Sequence, residues 1–175
     1  MKKPSIPLLI IVTLLSVVSG AAQSAVFRPE QLSPKGRVAF NKLLSACVFR
    51  VGGVGYGAQT SKEELALYDL LEEREATGAL KSLVATASYE GGLYGLLGLS
   101  IRNHTEFNIA VEIYKARKER PERPATGTFE CDLADGDMVA TQSGCLYGSE
   151  SRDKVLTAIQ SGRFDRLLNA KYRPQ

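Results

Sequence analysis

Between Ser88 and Ile101 the chain reads Ser-Tyr-Glu-Gly-Gly-Leu-Tyr-Gly-Leu-Leu-Gly-Leu-Ser-Ile, and this stretch limits the fold more than any other. Leu93, Leu96 and Leu97 fall on one side of a helix, and Tyr94, Leu97 and Ile101 on another. A helix that is apolar nearly all round belongs inside a core, with neighbours on both sides. Each glycine costs about 1 kcal/mol of helix propensity relative to alanine. Yet Gly91, Gly95 and Gly98 recur at i, i+4 and i+7 and line one edge of the helix. A bare edge lets another backbone come unusually close, which compensates the propensity loss. The segment Ser61 to Arg117 is therefore the expected centre of a small bundle.

Its neighbours carry helix signals of their own. Ser33-Pro34 is a cap followed by proline at the first helical position, and Val38, Leu43, Leu44 and Cys47 then share one broad face. Ser61-Lys-Glu-Glu64 is a capping box, with Leu67, Leu70 and Leu71 behind it. Leu80, Leu83, Val84 and Ala87 fit a further helix, and Ser88 caps the glycine-edged one. After a turn at Asn103 to Thr105, Phe107, Ala110, Val111 and Tyr114 fit the same template. Short connections make these helices antiparallel neighbours.

Pro121 and Pro124 stop the helical region. From Thr128 the period changes to two: Phe129, Cys131 and Leu133 alternate with polar residues. Asp135-Gly136 reads as a hairpin turn, with Asp137 to Thr141 as the returning strand. A helix follows Ser151 through Val155, Ala158 and Ile159, and Phe164, Leu167 and Leu168 make a short last one. The predicted fold is mainly α: a small antiparallel helical bundle with one two-stranded β-hairpin, 128–141, near the C-terminal third. Within Ser61 to Arg117, the run Leu-Tyr-Gly-Leu-Leu-Gly-Leu is similar to a HEAT-type repeat, although no second copy follows at a fixed period.

The N-terminus reads as a targeting signal. Lys2 and Lys3 precede an apolar run from Ile6 to Val18, and small residues Gly20, Ala21 and Ala22 suit cleavage after Ala22, with a cut after Ser24 as the alternative. The run is shorter than the ~20 residues of a spanning helix, so no membrane span is expected after cleavage. Residues 23–175 are then one exported helical domain, secreted or periplasmic in a bacterium. Lys+Arg is 22 against 19 Asp+Glu; losing Lys2 and Lys3 leaves 20 against 19, which is no footprint for nucleic acid. Of the three cysteines, Cys131 and Cys145 enclose a short loop. Their pairing is the preferred disulfide, stabilising by roughly 3 kcal/mol and leaving Cys47 a buried thiol, although the sequence also allows Cys47 to pair with either of them.

Candidate chemistry is sparse. Gly53-Val-Gly-Tyr-Gly-Ala58 approximates a dinucleotide loop, but helices follow it and no second strand arrives on schedule; no cofactor is expected. Tyr56, between Gly55 and Gly57 on a glycine-rich tip, is a plausible contact with a partner. His104 is the sole histidine, so a Cys47-His104 pair would need the fold to bring them together. Asp132, Asp135 and Asp137 lack the spacing of a calcium loop, because Ala134 occupies a ligand slot. Lys115, Arg117, Lys118, Arg120 and Arg123 crowd a helix end, where cations complement the dipole. Glu150-Ser151 resembles the catalytic Glu-Ser of lytic transglycosylases, which implies a glycan-cleaving enzyme using Glu90 or Glu150. Both acids also suit helix starts. The expected function is non-enzymatic binding of an unidentified protein or envelope polymer, with glycan cleavage as the alternative.

Overall fold

A computed structural model describes residues 27–55, 59–118, 129–132 and 135–173. The signal segment 1–22, Tyr56, Gly57 and the Thr128 and Leu133 positions of the expected hairpin lie outside these residues. The described chain is mainly helical, with a small mixed sheet against one side of the helices.

Six α-helices appear among the described residues: α1 (Pro34–Leu44), α2 (Lys62–Leu71), α3 (Ala76–Thr86), α4 (Tyr89–Arg102), α5 (His104–Ala116) and α6 (Arg152–Gln160). The glycine-edged segment is α4, and every residue from Tyr89 to Leu99 is buried. Its cap works twice: Ser88 Oγ accepts the Gly91 N–H at 3.0 Å and donates to the Ala46 carbonyl beyond α1. The bare edge is used as the spacing implies. A methyl at Gly91 would meet the Leu43 carbonyl, and one at Gly95 would lie 2.7 Å from the Leu80 carbonyl. α4 therefore lies against the backbones of α1 and α3, and α5 closes another side. The antiparallel run of sequential neighbours holds only in part, because α2 packs mainly on α1 rather than on α3.

The sheet departs further from expectation. Its strands are β1 (Phe49–Val54), β2 (Gln59–Thr60), β3 (Met138–Gly144) and β4 (Leu146–Ser151), in the order β2-β1-β3-β4. β1 runs parallel to β3, and the other pairs are antiparallel. The Asp135-Gly136 turn forms, with Gly136 at φ 54° and the Met138 N–H on the Asp135 carbonyl. The hairpin 128–141 around it does not: Phe129–Asp132 is a 3-10 turn. β3 pairs instead with β1 and with β4, through the two-residue loop Gly144-Cys145. Gly144 has φ 59° there, as primed hairpin turns require. The segment around Leu167 is a series of turns rather than a last helix.

The disulfide is also corrected. It joins Cys47 to Cys131, and Cys145 is an exposed thiol. Alternation sends Phe49 and Val139 into the main core and turns Val48 and Ala140 to the opposite face of the sheet, where Cys47, which precedes β1 and lies outside its alternation, packs with them. Cys131 reaches Cys47 there, while the hairpin turn carries Cys145 to the tip.

Candidate functional site

The glycine loop follows a strand that helix side chains hold by its backbone. Tyr94 of α4 accepts the Arg50 N–H at 2.8 Å and donates to the Arg50 carbonyl at 3.0 Å. Phe49 packs on the Tyr94 ring, with centroids 4.9 Å apart. Beyond Arg50 the ladder with β3 breaks: Arg50 faces Gln142, but Val54 faces Gly144. Gly52, at φ 90°, turns its N–H away from the ladder to the Glu64 carboxylate of α2, 2.9 Å away. That buried carboxylate also accepts from the Tyr68 hydroxyl, which itself accepts the Asn169 N–H at 2.9 Å. Tyr172 stacks on Tyr68 with centroids 4.4 Å apart. Glu64 and Tyr68 together thus tie Gly52 to the C-terminal segment.

Burial holds the Glu64 carboxyl above its ordinary range, against the lowering pull of the Tyr68 and Gly52 hydrogen bonds. The folded protein then keeps a proton that the unfolded chain has already released. Stability from this site is full below the unfolded value and is lost as the pH rises through the folded value. Glu64→Gln should flatten that slope in urea unfolding followed from the ordinary carboxylate range upward. Glu64→Leu should instead cost about 1–3 kcal/mol, because the Gly52 N–H and Tyr68 hydroxyl lose their acceptor.

Of the predicted contact residues, Gly55 meets a second element. The Gly55 N–H donates to the Gly144 carbonyl at 2.9 Å, so the end of β1 sits beside the β3–β4 turn. Three apolar side chains are open at this end of the sheet: Leu146 is 78% exposed, Leu167 51% and Tyr147 39%. Leu167 lies over Gly52, where an added methyl would be 3.3 Å from its Cβ. Across the strands Arg50, Gln142 and Tyr147 form one row, and the Arg50 guanidinium lies 5.7 Å from the Tyr147 ring centre. On the other face a cleft of about 150 Å³ opens between the sheet and α6, lined by Phe49, Ser143, Glu150, Arg163 and Leu167 among others. Gly148 stands opposite Thr141 and brings no side chain over it.

The remaining candidates have separate places. β1 returns through the antiparallel β2, so the Gly53–Ala58 loop joins two strands rather than opening a helix as a dinucleotide site needs. Glu90 is at a helix start but fully buried, and accepts the Ala140 N–H at 3.0 Å, tying β3 to α4. Glu150 lies in β4 immediately before Ser151, the cap of α6, half-buried and 3.4 Å from Lys154 in the first turn of that helix. His104 is exposed at the first turn of α5 against Phe107, and Cys47 is held in the disulfide, so they form no nucleophile–base pair. Among the described residues no group of His, Cys, Asp and Glu could hold a metal. Arg117 closes the end of α3 through the Val84 and Ala87 carbonyls.

Sequence reasoning missed Glu64, Tyr94, Leu146 and Leu167. For Leu146 a signal existed, because Gly144-Cys145 between two strand-length segments is a two-residue hairpin pattern. The other three act through tertiary contacts that no local spacing shows. Comparison with protein-family models, curated proteins and solved structures finds no match to this chain.

Proposed function

We propose that this chain is an exported, non-enzymatic protein that binds another macromolecule in a bacterial cell envelope or outside the cell. Residues 1–22 act as a cleaved signal, and 23–175 form the binding domain. The observation that carries this reading is the end of the sheet. There the loop at Gly55 is hydrogen-bonded to Gly144, and Leu146, Tyr147 and Leu167 stand open around that junction. Clustered exposed apolar side chains on loops and turns held by a rigid scaffold suit recognition. Tyr56 and Gly57 follow Gly55 in the chain and remain the candidate contact residues of this reading.

Export is supported by the Cys47–Cys131 disulfide, which persists in oxidising compartments. No helix among the described residues is long and apolar enough to cross a membrane. Glycan cleavage has less support, since Glu90 is sealed beneath β3 and Glu150 is matched by Lys154.

The test is affinity capture from envelope extracts with the mature protein, Tyr56→Ala and Leu146→Asp. One specific partner should be retained by the parent and lost by both variants. An unchanged set of partners would remove the sheet end from the hypothesis. Hydrolysis of purified peptidoglycan, abolished by Glu90→Gln or Glu150→Gln in folded protein, would replace binding with catalysis.

A further inference from the structure

Apart from Met138 at the far end of β3, the exposed large apolar side chains of the described residues fall in three places, and their surrounding charges differ. Val38 and Leu65 lie between α1 and α2 beside Lys35 and Lys42. These lysines are already matched, by Asp69 at 2.8 Å and Glu63 at 3.4 Å. Ile109 and Ile113 on α5 stand near Lys115, which holds Glu112 at 3.2 Å. Leu167 differs. Arg163 and Arg166 precede it in sequence, both are exposed, and no carboxylate of the described residues lies within 4.0 Å of either guanidinium. The acids nearby are turned elsewhere. Asp165 folds back over Gly162, where an added methyl would lie 2.6 Å from its Oδ2, and Glu150 faces Lys154. Lys171 is taken by Glu72 at 2.7 Å, and Arg173 donates to the Leu168 and Arg166 carbonyls.

We infer that the cleft beside Leu167 receives one apolar side chain of a partner protein whose flanking residues are acidic, with Arg163 and Arg166 as their counter-charges. The inference rests on the sheet-end reading and names the partner's chemistry. A cleft of about 150 Å³ has room for one side chain rather than for a polymer segment. Phe49, Val51, Phe164 and Leu167 give it apolar walls and Thr141, Ser143, Glu150 and Arg163 polar ones, so an apolar side chain seats against the former. Arg163 lines the cleft and Arg166 is next in sequence to its Leu167; with no carboxylate partner among the described residues, these guanidiniums add attraction that salt screens, and they reject a basic partner.

A phage-displayed random peptide library, selected on the mature protein, tests this directly. The expected consensus is a Leu- or Phe-type residue with Asp or Glu close on either side. Binding of a selected peptide should weaken on the order of tenfold in Arg163→Glu/Arg166→Glu, and also as salt is raised. Arg163→Lys/Arg166→Lys should retain most of it. All four substitutions are at exposed positions, and circular dichroism of each variant checks that it is folded. Peptides lost in Leu146→Asp or Leu167→Asp but indifferent to the charge reversal would overturn the inference and leave the sheet-end reading intact. A neutral or basic consensus would also overturn the inference. Peptides indifferent to every one of these substitutions would overturn both.

Discussion

Replacing Cys47 and Cys131 together by alanine should lower stability by roughly 4–5 kcal/mol, and Cys145→Ser should change it by no more than about 0.5 kcal/mol. The first figure follows from the sequence separation of 84 residues, since the loop-closure entropy removed from the unfolded chain grows with the logarithm of loop length. For a domain of this size the melting temperature should fall on the order of 10 °C. The bond also has local work. It ties the residues just before β1 to the 3-10 turn that precedes β3, on the face of the sheet away from the main core. Its loss should therefore loosen β1 and β3 before the helices, which amide exchange would show as early loss of protection in the strands. Peptide mapping without reduction should find Cys47 joined to Cys131, with Cys145 alkylated in the native protein. A Cys131–Cys145 peptide, or a large loss from Cys145→Ser, would refute the assignment.

The helices were legible because their signals are local. Ser33, Ser61 and Ser88 each cap the helix they announce, and the Gly91, Gly95 and Gly98 spacing correctly implied close neighbours. The sheet was not, because its central pairing joins Phe49 to Thr141, far apart in sequence. A parallel pair needs a long crossover, and here the crossover contains four helices. Phe129, Cys131 and Leu133 alternate as a strand would. The chain nevertheless turns at Phe129–Asp132, where the disulfide holds Cys131. Alternation marks a half-buried extended segment only when a strand edge is available beside it, and β1 and β4 occupy both edges of β3. The candidate site was half visible for the same reason. Gly55 follows from the glycine run, but its own partner, the Gly144 carbonyl, and the Glu64 carboxylate that holds Gly52 arrive from β3 and from α2.

Leu96→Ala in α4 should cost about 2–5 kcal/mol, because the side chain is fully buried and its removal leaves a cavity as well as lost burial. Ile109→Ala, on the open face of α5, should stay within about 0.5 kcal/mol. Gly95→Ala tests the same helix from the opposite direction, by adding volume. On propensity alone it should stabilise by about 1 kcal/mol. The added methyl would, however, lie 2.7 Å from the Leu80 carbonyl and 2.9 Å from Val84 Cγ2. The nearer obstacle is backbone, which cannot rotate aside, and overpacking of this kind costs about 1–3 kcal/mol. The steric cost therefore wins, and Gly95→Ala should destabilise despite the better helix former. Gly91→Ala meets the Leu43 carbonyl in the same way, so the two substitutions together should push α1 and α3 away from α4. A stabilising Gly95→Ala, measured by urea unfolding, would mean that α3 does not approach the α4 backbone closely, and the central placement of α4 would fall with it.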